Sequence, residues 1–297
     1  MNRLIVVTGP TASGKTTLAI DLARVLGTEI VSADSRQLFR DLTIGTASPT
    51  PEELSAVTHH FVATLRLDEY YSAAQYEEDV IRLLPDIFSR CGGNAVMCGG
   101  SMMYVDAVCN GIDLLPTVSD ENRARAYGIY ETGGLPAVIR ELERLDPAYL
   151  RQAPDLKNHK RLVHALEISL EARRPYSSML TGEKKPRPFR IVKFAIDHPR
   201  DELFSRINRR VDEMMAQGLL EEVRGVYANR HLNSLNTVGY KELFAYLDGQ
   251  WDLATAVARI QKNTRVYAKK QLTWLNRSSG YTILPPDATA DYCISGG

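Results

Sequence analysis

The first thirty residues show the hydrophobic pattern of a buried strand followed by an amphipathic helix. Apolar residues fill positions 4–7, and from Thr17 to Leu26 they recur three and four positions apart, as one face of a helix requires. The same two patterns alternate further along the chain. Strands are predicted at 29–33, 94–98 and 191–197, and helices at 72–88, 102–109 and 201–217. This alternation predicts an α/β fold with a parallel sheet flanked by helices.

The middle of the chain departs from this alternation. From about Leu115 to Leu180 the periodicity is helical, without strand patterns between the helices. Separate helices are predicted at 121–132, 135–145 and 157–172. We therefore interpret 115–182 as an all-helical insertion domain. The α/β core would then consist of 1–114 and 183–297, with a helical C-terminal part.

Two segments show no clear periodicity. Residues 52–67 are predicted to be irregular, and from Thr282 we expect a short strand and a loose end. The first segment contains His59 and His60. Adjacent side chains on an extended chain point to opposite sides, so we expect packing and loop hydrogen bonds here rather than a shared metal.

The turn between the first strand and its helix carries a phosphate-binding motif. The pattern G-x-x-x-x-G-K-T is formed by Gly9, Pro10, Thr11, Ala12, Ser13, Gly14, Lys15 and Thr16. Its glycines let backbone amides turn towards an anion, and the helix start adds partial positive charge. Lys15 would neutralise the outer phosphate, and the Thr16 hydroxyl would ligate Mg²⁺. The complete motif favours a P-loop NTPase-like fold over an ordinary glycine-rich turn, and its ligand is a nucleoside triphosphate or another pyrophosphate.

Polar residues at other strand ends are predicted to face this loop. Asp34 follows the strand at 29–33, which we place next to the first strand. Because ligands bind beyond the carboxyl ends of parallel strands, Asp34 could accept a proton there or hold Mg²⁺ through water. Arg206 and Arg210 lie one helical turn apart, and they are either surface charges or an anion clamp.

Charge is balanced overall but unevenly distributed. The chain has 36 basic and 36 acidic residues, with an acidic excess before residue 114 and a basic excess after it. Residues 259–277 include six basic and no acidic residues, with Tyr267 and Trp274 among them. This combination suits contact with a polyanion such as nucleic acid, although core packing is the default role of such aromatics.

Membrane, secreted and disulfide-bonded classes are disfavoured. No stretch approaches the length of a membrane span, and the first three residues lead directly into a strand, so we expect a cytoplasmic protein without a signal peptide. The cysteines lack C-x-x-C spacing, which favours free thiols over disulfides or zinc. They are Cys91, Cys98, Cys109 and Cys293.

The residues alone leave more than one activity open. A small-molecule kinase would use the phosphate loop and Asp34 to phosphorylate a hydroxyl group. Such kinases are usually shorter, however, and seldom carry a helical insertion together with a basic, aromatic helix. A nucleotide switch is less consistent with the sequence, because the chain has no GTPase base-recognition motif.

Several ordered motifs together resemble those of one enzyme family. Besides the phosphate loop they are Asp34-Ser-Arg-Gln37, Ile44-Gly-Thr-Ala47, Gly99-Gly-Ser101, Val238-Gly-Tyr240 and Ala268-Lys-Lys-Gln-Leu-Thr-Trp274. In order and spacing they resemble the tRNA dimethylallyltransferases, also called tRNA isopentenyltransferases. The resemblance runs nearly from end to end and is to the bacterial form.

The resemblance implies a specific use of the phosphate loop. In this family the loop holds the diphosphate of dimethylallyl diphosphate. The acceptor is the exocyclic amine of the adenosine 3′ to the anticodon, in tRNAs that read codons starting with U, and this base is flipped out of its loop. The implied catalytic residues are Asp34 as general base, Thr16 near the bridging oxygen and Mg²⁺, and Arg210 on the diphosphate.

The resemblance also implies contacts with tRNA, in part from the insertion to the anticodon arm. The implied contact residues are Asp34, Ser35, Arg36, Gln37, Ser101, Arg123, Lys160, Arg161, Leu162, Val163, His164, Thr237, Val238, Gly239, Tyr240, Lys241, Glu242, Lys269, Lys270, Gln271 and Trp274. The expected partners are tRNA and dimethylallyl diphosphate, the expected cofactor is Mg²⁺, and the expected state is a monomer. Prenylation of a free adenine nucleotide is a related activity, but it would need neither the insertion nor the basic helix.

Overall fold

A six-stranded parallel sheet forms the centre of the computed structural model, which describes residues 1–153 and 155–295. Its strands are β1 (Arg3–Thr8), β2 (Ile30–Ser32), β3 (His59–His60), β4 (Asn94–Cys98), β5 (Arg190–Ile196) and β6 (Tyr281–Leu284). They lie in the order β3-β2-β4-β1-β5-β6. The central strands β1 and β4 are buried along most of their length, because helices cover both faces of the sheet.

The chain divides into two compact units. The α/β unit comprises Met1–Asn110 and Pro186–Gly297, and the helical unit comprises Gly111–Lys185. The helices of the α/β unit are α1 (Lys15–Leu26), α2 (Pro51–Ala56), α3 (Ala73–Arg90), α4 (Met102–Asn110), α8 (Arg200–Ala216), α9 (Leu219–Val226), α10 (Tyr240–Leu247), α11 (Leu253–Arg277) and α12 (Ala290–Ser295). Those of the helical unit are α5 (Asp120–Leu145), α6 (Pro147–Gln152) and α7 (His159–Ala172). The predicted α/β fold, with a parallel sheet flanked by helices, is confirmed.

The helical unit has its own hydrophobic core. Residues of α5 and α7 bury their apolar faces against each other, including Val138, Leu142, Leu162 and Leu166. The element α5 contains two helices separated at Gly134, where the backbone leaves the helical conformation, so the separate helices predicted at 121–132 and 135–145 are confirmed.

The segment predicted to be irregular is partly ordered. α2 begins with a capping box in which the Thr50 side chain accepts from the Glu53 amide and the Glu53 side chain accepts from the Thr50 amide. Such caps start a short helix without needing apolar periodicity. His59 and His60 then form β3, whose His59 pairs in register with Ile30 of β2.

The expected loose end after the last strand is wrong. α12 packs against α1, and Ala290 and Cys293 join the hydrophobic core beside the sheet. Ala290 and Cys293 lie three positions apart and therefore on one face of α12, which is the face that becomes buried. The predicted free thiols are confirmed, since all four cysteines are free and buried.

The order of the strands corrects one expectation about the site. β2, which leads to Asp34, is not next to β1, because β4 lies between them. The carboxyl ends of β1, β2 and β4 nevertheless lie at one edge of the sheet, as all three strands are parallel. Within the part of the chain that the structure describes, no helix is long and apolar enough to cross a membrane.

Candidate active site

The phosphate loop joins β1 to α1 and is held in a close turn. A Cβ atom on Gly9 would lie 2.8 Å from the Ser13 hydroxyl and 2.9 Å from the Ile196 carbonyl oxygen. The backbone of Gly9 has a φ of 151°, and that of Gly14 a φ of 91°. Only glycine fits such a close approach at Gly9 without displacing its neighbours. The loop therefore has the compact form that a phosphate-binding turn requires.

Three cationic side chains lie at the loop. The ammonium group of Lys15 donates to the Pro10 carbonyl oxygen at 3.3 Å, and Nε of Arg206 donates to the Ala12 carbonyl oxygen at 2.8 Å. Burial lowers the pKa of Lys15, and the positive charge of Arg210 lowers it further, against the opposing effects of Cys98 and Asp34. Burial likewise lowers the pKa of Arg210, with Arg206 adding to the effect. These desolvated cations would bind an anion strongly, because burial has removed the water that normally compensates their charge.

His198, which was not among the residues predicted for the site, contacts the phosphate loop at Ser13. Nε2 of His198 lies 2.8 Å from the Ser13 carbonyl oxygen, and Nδ1 lies 3.1 Å from a carboxylate oxygen of Glu202. His198 follows β5, so the strand-end rule that pointed to Asp34 could also have found it. The Ser13 hydroxyl is buried without a hydrogen-bond partner among the described residues. An unpaired buried hydroxyl is costly, and a phosphate-binding loop is a place where such a group is kept.

Gln271 joins the phosphate loop to the glycine turn after β4. Its Oε1 accepts from the Thr11 amide at 2.9 Å, and its Nε2 donates to the Gly100 carbonyl oxygen at 2.8 Å. The side chain is 3% exposed. Gln271 thereby connects helix α11 to both loops. Its amide oxygen and its amide nitrogen are each hydrogen-bonded to the protein backbone.

Asp34 reaches the phosphate loop although β4 separates their strands. The reason is Gly99 at the end of β4, where a Cβ atom would lie 2.2 Å from the Ala33 carbonyl oxygen. This close approach brings the chain after β2 over the end of β4. Asp34 therefore lines the same cleft as Thr11 of the phosphate loop.

The Asp34 carboxylate is oriented by its own turn. Oδ1 accepts from the Arg36 amide at 2.9 Å and from the Gln37 amide at 3.4 Å. The next residue is fixed as well, because the Ser101 hydroxyl accepts from the Ser35 amide at 2.9 Å. With Oδ1 held in the turn, Oδ2 is the oxygen that can meet a substrate.

The loop at 43–47 is organised by one carboxylate. Oε2 of Glu222 accepts from the amides of Thr43 and Ile44 at 2.9 and 2.8 Å, and Oε1 accepts from the Gly45 amide at 2.9 Å. The Tyr240 hydroxyl donates to Oε1 at 2.6 Å. Burial acts to raise the pKa of Glu222, but these hydrogen bonds outweigh it and lower the pKa. The carboxylate is thus held ionised as the centre of this loop.

These loops surround a cleft of about 420 Å³ within the α/β unit. Its polar wall includes Thr11, Asp34, Ser35, Arg36, Ser101, Arg210, Lys241 and Lys270. Its apolar wall includes Ile207, Val211, Met214, Leu219, Val238 and Ile260. The cleft therefore combines cations, a carboxylate and apolar surface, which suits a ligand with a charged end and a hydrocarbon end.

Several residues predicted to contact tRNA have buried side chains. They are Leu162 and Val163 of α7, Tyr240 and Glu242 of α10, and Gln271 of α11. Glu242 accepts from the Gly239 amide and from the Asn263 side chain, so it is committed to the protein. We expect these five side chains to position neighbouring residues instead of contacting RNA, because contact with RNA would require them to leave the protein interior.

Other predicted contact residues are accessible. Lys160, Arg161 and His164 lie on the exposed face of α7, opposite its buried Leu162 and Val163, and Arg123 is exposed on α5. On α11, Lys269 and Lys270 are exposed. The indole nitrogen of Trp274 donates to Asp106 at 2.7 Å, which leaves its ring half-buried.

The residues at the loop fit a magnesium ion held mainly by phosphate and water. The described residues contain no group of three or more His, Cys, Asp or Glu side chains that could hold a metal. Mg²⁺ usually keeps several waters and takes one or two protein ligands beside substrate phosphates. The Thr16 hydroxyl and the nearby Asp34 carboxylate are of the oxygen type that this ion prefers.

Comparison with known proteins identifies relatives over nearly the whole chain. The family model described as IPP transferase matches residues 37–278. The chain is 54% identical over 287 residues to tRNA dimethylallyltransferase 1 of Bacteroides thetaiotaomicron, covering 97% of this chain and 92% of that protein. It is 52% identical over 289 residues to tRNA dimethylallyltransferase 2 of Parabacteroides distasonis, covering 97% and 96%.

Solved structures give the same picture of the fold. The full-length tRNA isopentenylpyrophosphate transferase of Bacillus halodurans is 33% identical with a TM-score of 0.72, over 100% of this chain and 94% of that one. A eukaryotic dimethylallyltransferase, whose structures show it acting on tRNA, is 22% identical with a TM-score of 0.81, over 98% of this chain and 76% of that one. At that lower identity the likeness concerns the fold alone.

Proposed function

The chain belongs to the IPP transferase family, and we propose that it transfers a dimethylallyl group from dimethylallyl diphosphate to the exocyclic amine of an adenosine in tRNA. The proposed acceptor is the adenosine 3′ to the anticodon, in tRNAs that read codons starting with U. The products are isopentenyladenosine and diphosphate. The proposal includes action as a monomer.

One observation carries the proposal for this site. Asp34 and the desolvated Arg210 line the same cleft as Thr11 of the phosphate loop, so a proton acceptor and an anion-binding loop meet there. Prenyl transfer needs both groups at once, since a diphosphate leaves while an amine loses a proton.

The donor half of the reaction depends on stabilising the departing diphosphate. An allylic diphosphate breaks its carbon–oxygen bond readily, so most of the catalytic task is to stabilise the negative charge that develops on the leaving oxygens. The loop amides, Lys15 and Arg210 would do this from fixed positions. The apolar wall around Val211 and Met214 would cover the hydrocarbon end and exclude water.

The acceptor half depends on Asp34. An adenine amine is barely basic, and its nitrogen becomes acidic as the new carbon–nitrogen bond forms. Oδ2 of Asp34 would accept a hydrogen bond from the amine and then its proton. Because Oδ1 is held by the turn at Arg36, the carboxylate would meet the amine without first reorienting.

Magnesium belongs to the proposal as a cofactor. Thr16 would hold the ion together with the diphosphate and water, and Asp34 could contact it through water. When bound, Mg²⁺ would supply further neutralisation of the leaving group. The hydroxyl of Thr16 would also lie near the bridging oxygen of dimethylallyl diphosphate.

The tRNA would be bound by exposed cations. In the α/β unit these are Lys241 and Lys270, which line the cleft, and Lys269, which precedes Lys270 on α11. In the helical unit they are Arg123, Lys160 and Arg161, with His164 on the same face of α7 as the latter two. Exposed cations of this kind contribute affinity through phosphate contacts and do not read sequence directly.

A prenylation assay tests the proposal. The purified protein is incubated with Mg²⁺, radiolabelled dimethylallyl diphosphate and a tRNA with adenosine 3′ to its anticodon. The control is the same tRNA with guanosine at that position. We expect label in the first tRNA only, without a requirement for ATP. Absence of transfer, together with ATP-dependent phosphorylation of a small alcohol, would replace the proposal with a kinase.

A further inference from the structure

A small cavity beside the phosphate loop is lined by a histidine that the proposed mechanism does not use. The cavity measures about 20 Å³, and its lining includes Thr16, Ser32, His59 and Cys98. A water molecule needs roughly 10–15 Å³ of such volume and two to four polar partners. His59 lines the cavity, and its Nε2 is buried and has no hydrogen-bond partner among the described residues, so it is a candidate partner for such a water.

The other ring nitrogen of His59 fixes the chemistry of Nε2. Nδ1 lies 2.8 Å from the Val57 carbonyl oxygen, which can only accept. The hydrogen of the neutral ring is therefore on Nδ1, and Nε2 is an acceptor. Burial lowers the pKa of His59, which favours this neutral form. Nε2 therefore needs a hydrogen-bond donor, and a water in the cavity that His59 lines would be one.

His59 is held in this position by strand pairing. It lies opposite Ile30 on the edge strand β3, and its neighbour His60 points to the other side, where Nε2 contacts Glu29 at 2.5 Å. The opposite directions expected for the histidine pair thus give the two rings different partners. This difference makes His60 a suitable control for His59.

Thr16 lines the same cavity, and its hydroxyl needs a hydrogen-bond acceptor. A hydroxyl oxygen that ligates Mg²⁺ uses its lone pairs towards the cleft, so its hydrogen must find an acceptor elsewhere. The Cys98 thiol lines the same cavity, but it donates to the Lys15 carbonyl oxygen at 3.6 Å and a thiol is a weak acceptor. A water in the cavity is a better one.

We propose that one buried water links the Thr16 hydroxyl to Nε2 of His59, so that His59 positions Thr16 for binding of magnesium diphosphate. The water accepts the Thr16 hydrogen and donates one hydrogen to Nε2. Its second hydrogen goes to Ser32, whose hydroxyl donates to Oε1 of Gln37 at 3.2 Å and keeps an acceptor site. His59 is a positioning residue in this arrangement, and the inference rests on the proposed function because it takes Thr16 as the ligand of Mg²⁺.

Two substitutions of His59 test the roles of its two ring nitrogens separately. His59→Asn retains an amide at the Nδ1 position for the Val57 carbonyl but removes the acceptor at Nε2. His59→Gln places an amide oxygen near the Nε2 position but loses the bond to Val57. His60→Gln is the matched control on the adjacent residue. The probe is inorganic diphosphate, with its affinity measured by calorimetry in the presence and absence of Mg²⁺.

We expect His59→Asn to weaken Mg²⁺-dependent diphosphate binding by about threefold to tenfold, the effect of one buried hydrogen bond. Binding without Mg²⁺ should change little. His59→Gln should retain most of the affinity, and His60→Gln should match the wild type. The inference is overturned if the asparagine variant binds as the wild type does, or if the glutamine variant loses as much as the asparagine variant.

The wild-type measurement distinguishes this inference from the proposed function. A wild-type protein that binds no magnesium diphosphate contradicts the proposed site itself, whereas normal wild-type binding with an unaffected asparagine variant contradicts only the role of His59. A crystal structure at a resolution that shows ordered water gives a second readout. We expect a water within hydrogen-bond distance of Nε2 of His59 and of the Thr16 hydroxyl, and a dry cavity would overturn the inference.

Discussion

The two sides of the cleft are built in opposite ways. The donor side is centred on one contiguous motif, residues 9–16, together with the desolvated cations Lys15 and Arg210 and a Ser13 hydroxyl that has no hydrogen-bond partner among the described residues. The acceptor side is assembled from segments far apart in the chain, around Asp34, Thr43 and Tyr240. There the carboxylates of Asp34 and Glu222 are engaged in hydrogen bonds within the protein.

This difference matches the two substrates that we propose. A small, highly charged leaving group is best bound by desolvated cations, which regain their lost electrostatic stabilisation when the anion arrives. An uncharged base gains little electrostatic free energy on binding, so its binding could not offset the cost of rearranging the protein. It is therefore best bound by a surface whose shape is already fixed. Substitutions on the donor side should therefore change anion affinity, and those on the acceptor side should change turnover or stability.

Asp34→Asn should give the largest effect and test the acceptor side. The amide retains an oxygen for the turn at Arg36 but cannot accept the proton of the amine. We expect kcat for prenyl transfer to fall by about 10²- to 10⁴-fold, with nearly unchanged affinity for tRNA and for diphosphate. Single-turnover kinetics and filter binding measure the two quantities, with the exposed Asp41→Asn as control. An equal loss of turnover and tRNA affinity would make Asp34 a binding residue instead.

Arg210→Met tests the donor side. Removal of one charged hydrogen bond should weaken diphosphate binding by about 10- to 100-fold and leave tRNA affinity unchanged. The matched control is Arg209→Met on the same helix, since Arg209 is 68% exposed and lies 3.6 Å from Glu213 in a surface pair. Calorimetry with diphosphate compares the two variants. If both arginines proved equivalent, the idea of a desolvated cation site on this side would be lost.

Glu222→Gln tests whether the acceptor side is held in shape from within. The amide replaces one of the two oxygens that bind the loop at Thr43 and Tyr240, so we expect the free energy of unfolding to fall by about 1–3 kcal/mol. The folded protein lowers the pKa of Glu222, so its stabilisation is present above the unfolded pKa of 4.5 and is lost as the pH falls through the folded value. The difference between variant and wild type should accordingly shrink in acid. Urea denaturation at several pH values measures this, with the exposed Glu221→Gln as control, and a difference independent of pH would argue against an ionised Glu222.

Lys270→Ala should give the smallest effect. This exposed lysine lines the cleft, and its contact with a phosphate of tRNA would release a counterion. The slope of log K against log salt concentration should fall in magnitude by about 0.7–0.9, while diphosphate affinity stays the same. Lys262→Ala on the exposed face of the same helix is the control. A flat salt response in the wild type would show that the cations of α11 are merely solvated.

Much of the fold followed from local patterns. The strand at 4–7, the helix after it and the helical character of the middle segment all depend on periodicity over one or a few turns. The elements that periodicity missed were short. α2 is started by its cap at Thr50, and α12 is held by Ala290 and Cys293 against α1, so neither needed a long amphipathic pattern.

The site was only partly predictable for a related reason. The strand-end rule placed Asp34 at the sheet edge. The prediction that its strand β2 lies next to β1 was wrong, because periodicity does not specify the order of strands. Gln271 looked like a surface contact in a basic helix, and only its bonds to Thr11 and Gly100 show that it joins two loops. His198 lay at a predicted strand end and was overlooked among more suggestive residues.

The sequence by itself determined the phosphate loop, because a turn of eight residues depends on backbone conformations that its own glycines and the flanking strand and helix impose. It also determined the alternation of strands and helices. The tertiary structure alone decided that β4 separates β1 from β2, that Gly99 lets Asp34 pass over it, and that Glu222 organises a loop almost 180 residues earlier in the chain. Such pairings depend on which surfaces become buried together, and no local pattern records the partner of a residue so far away.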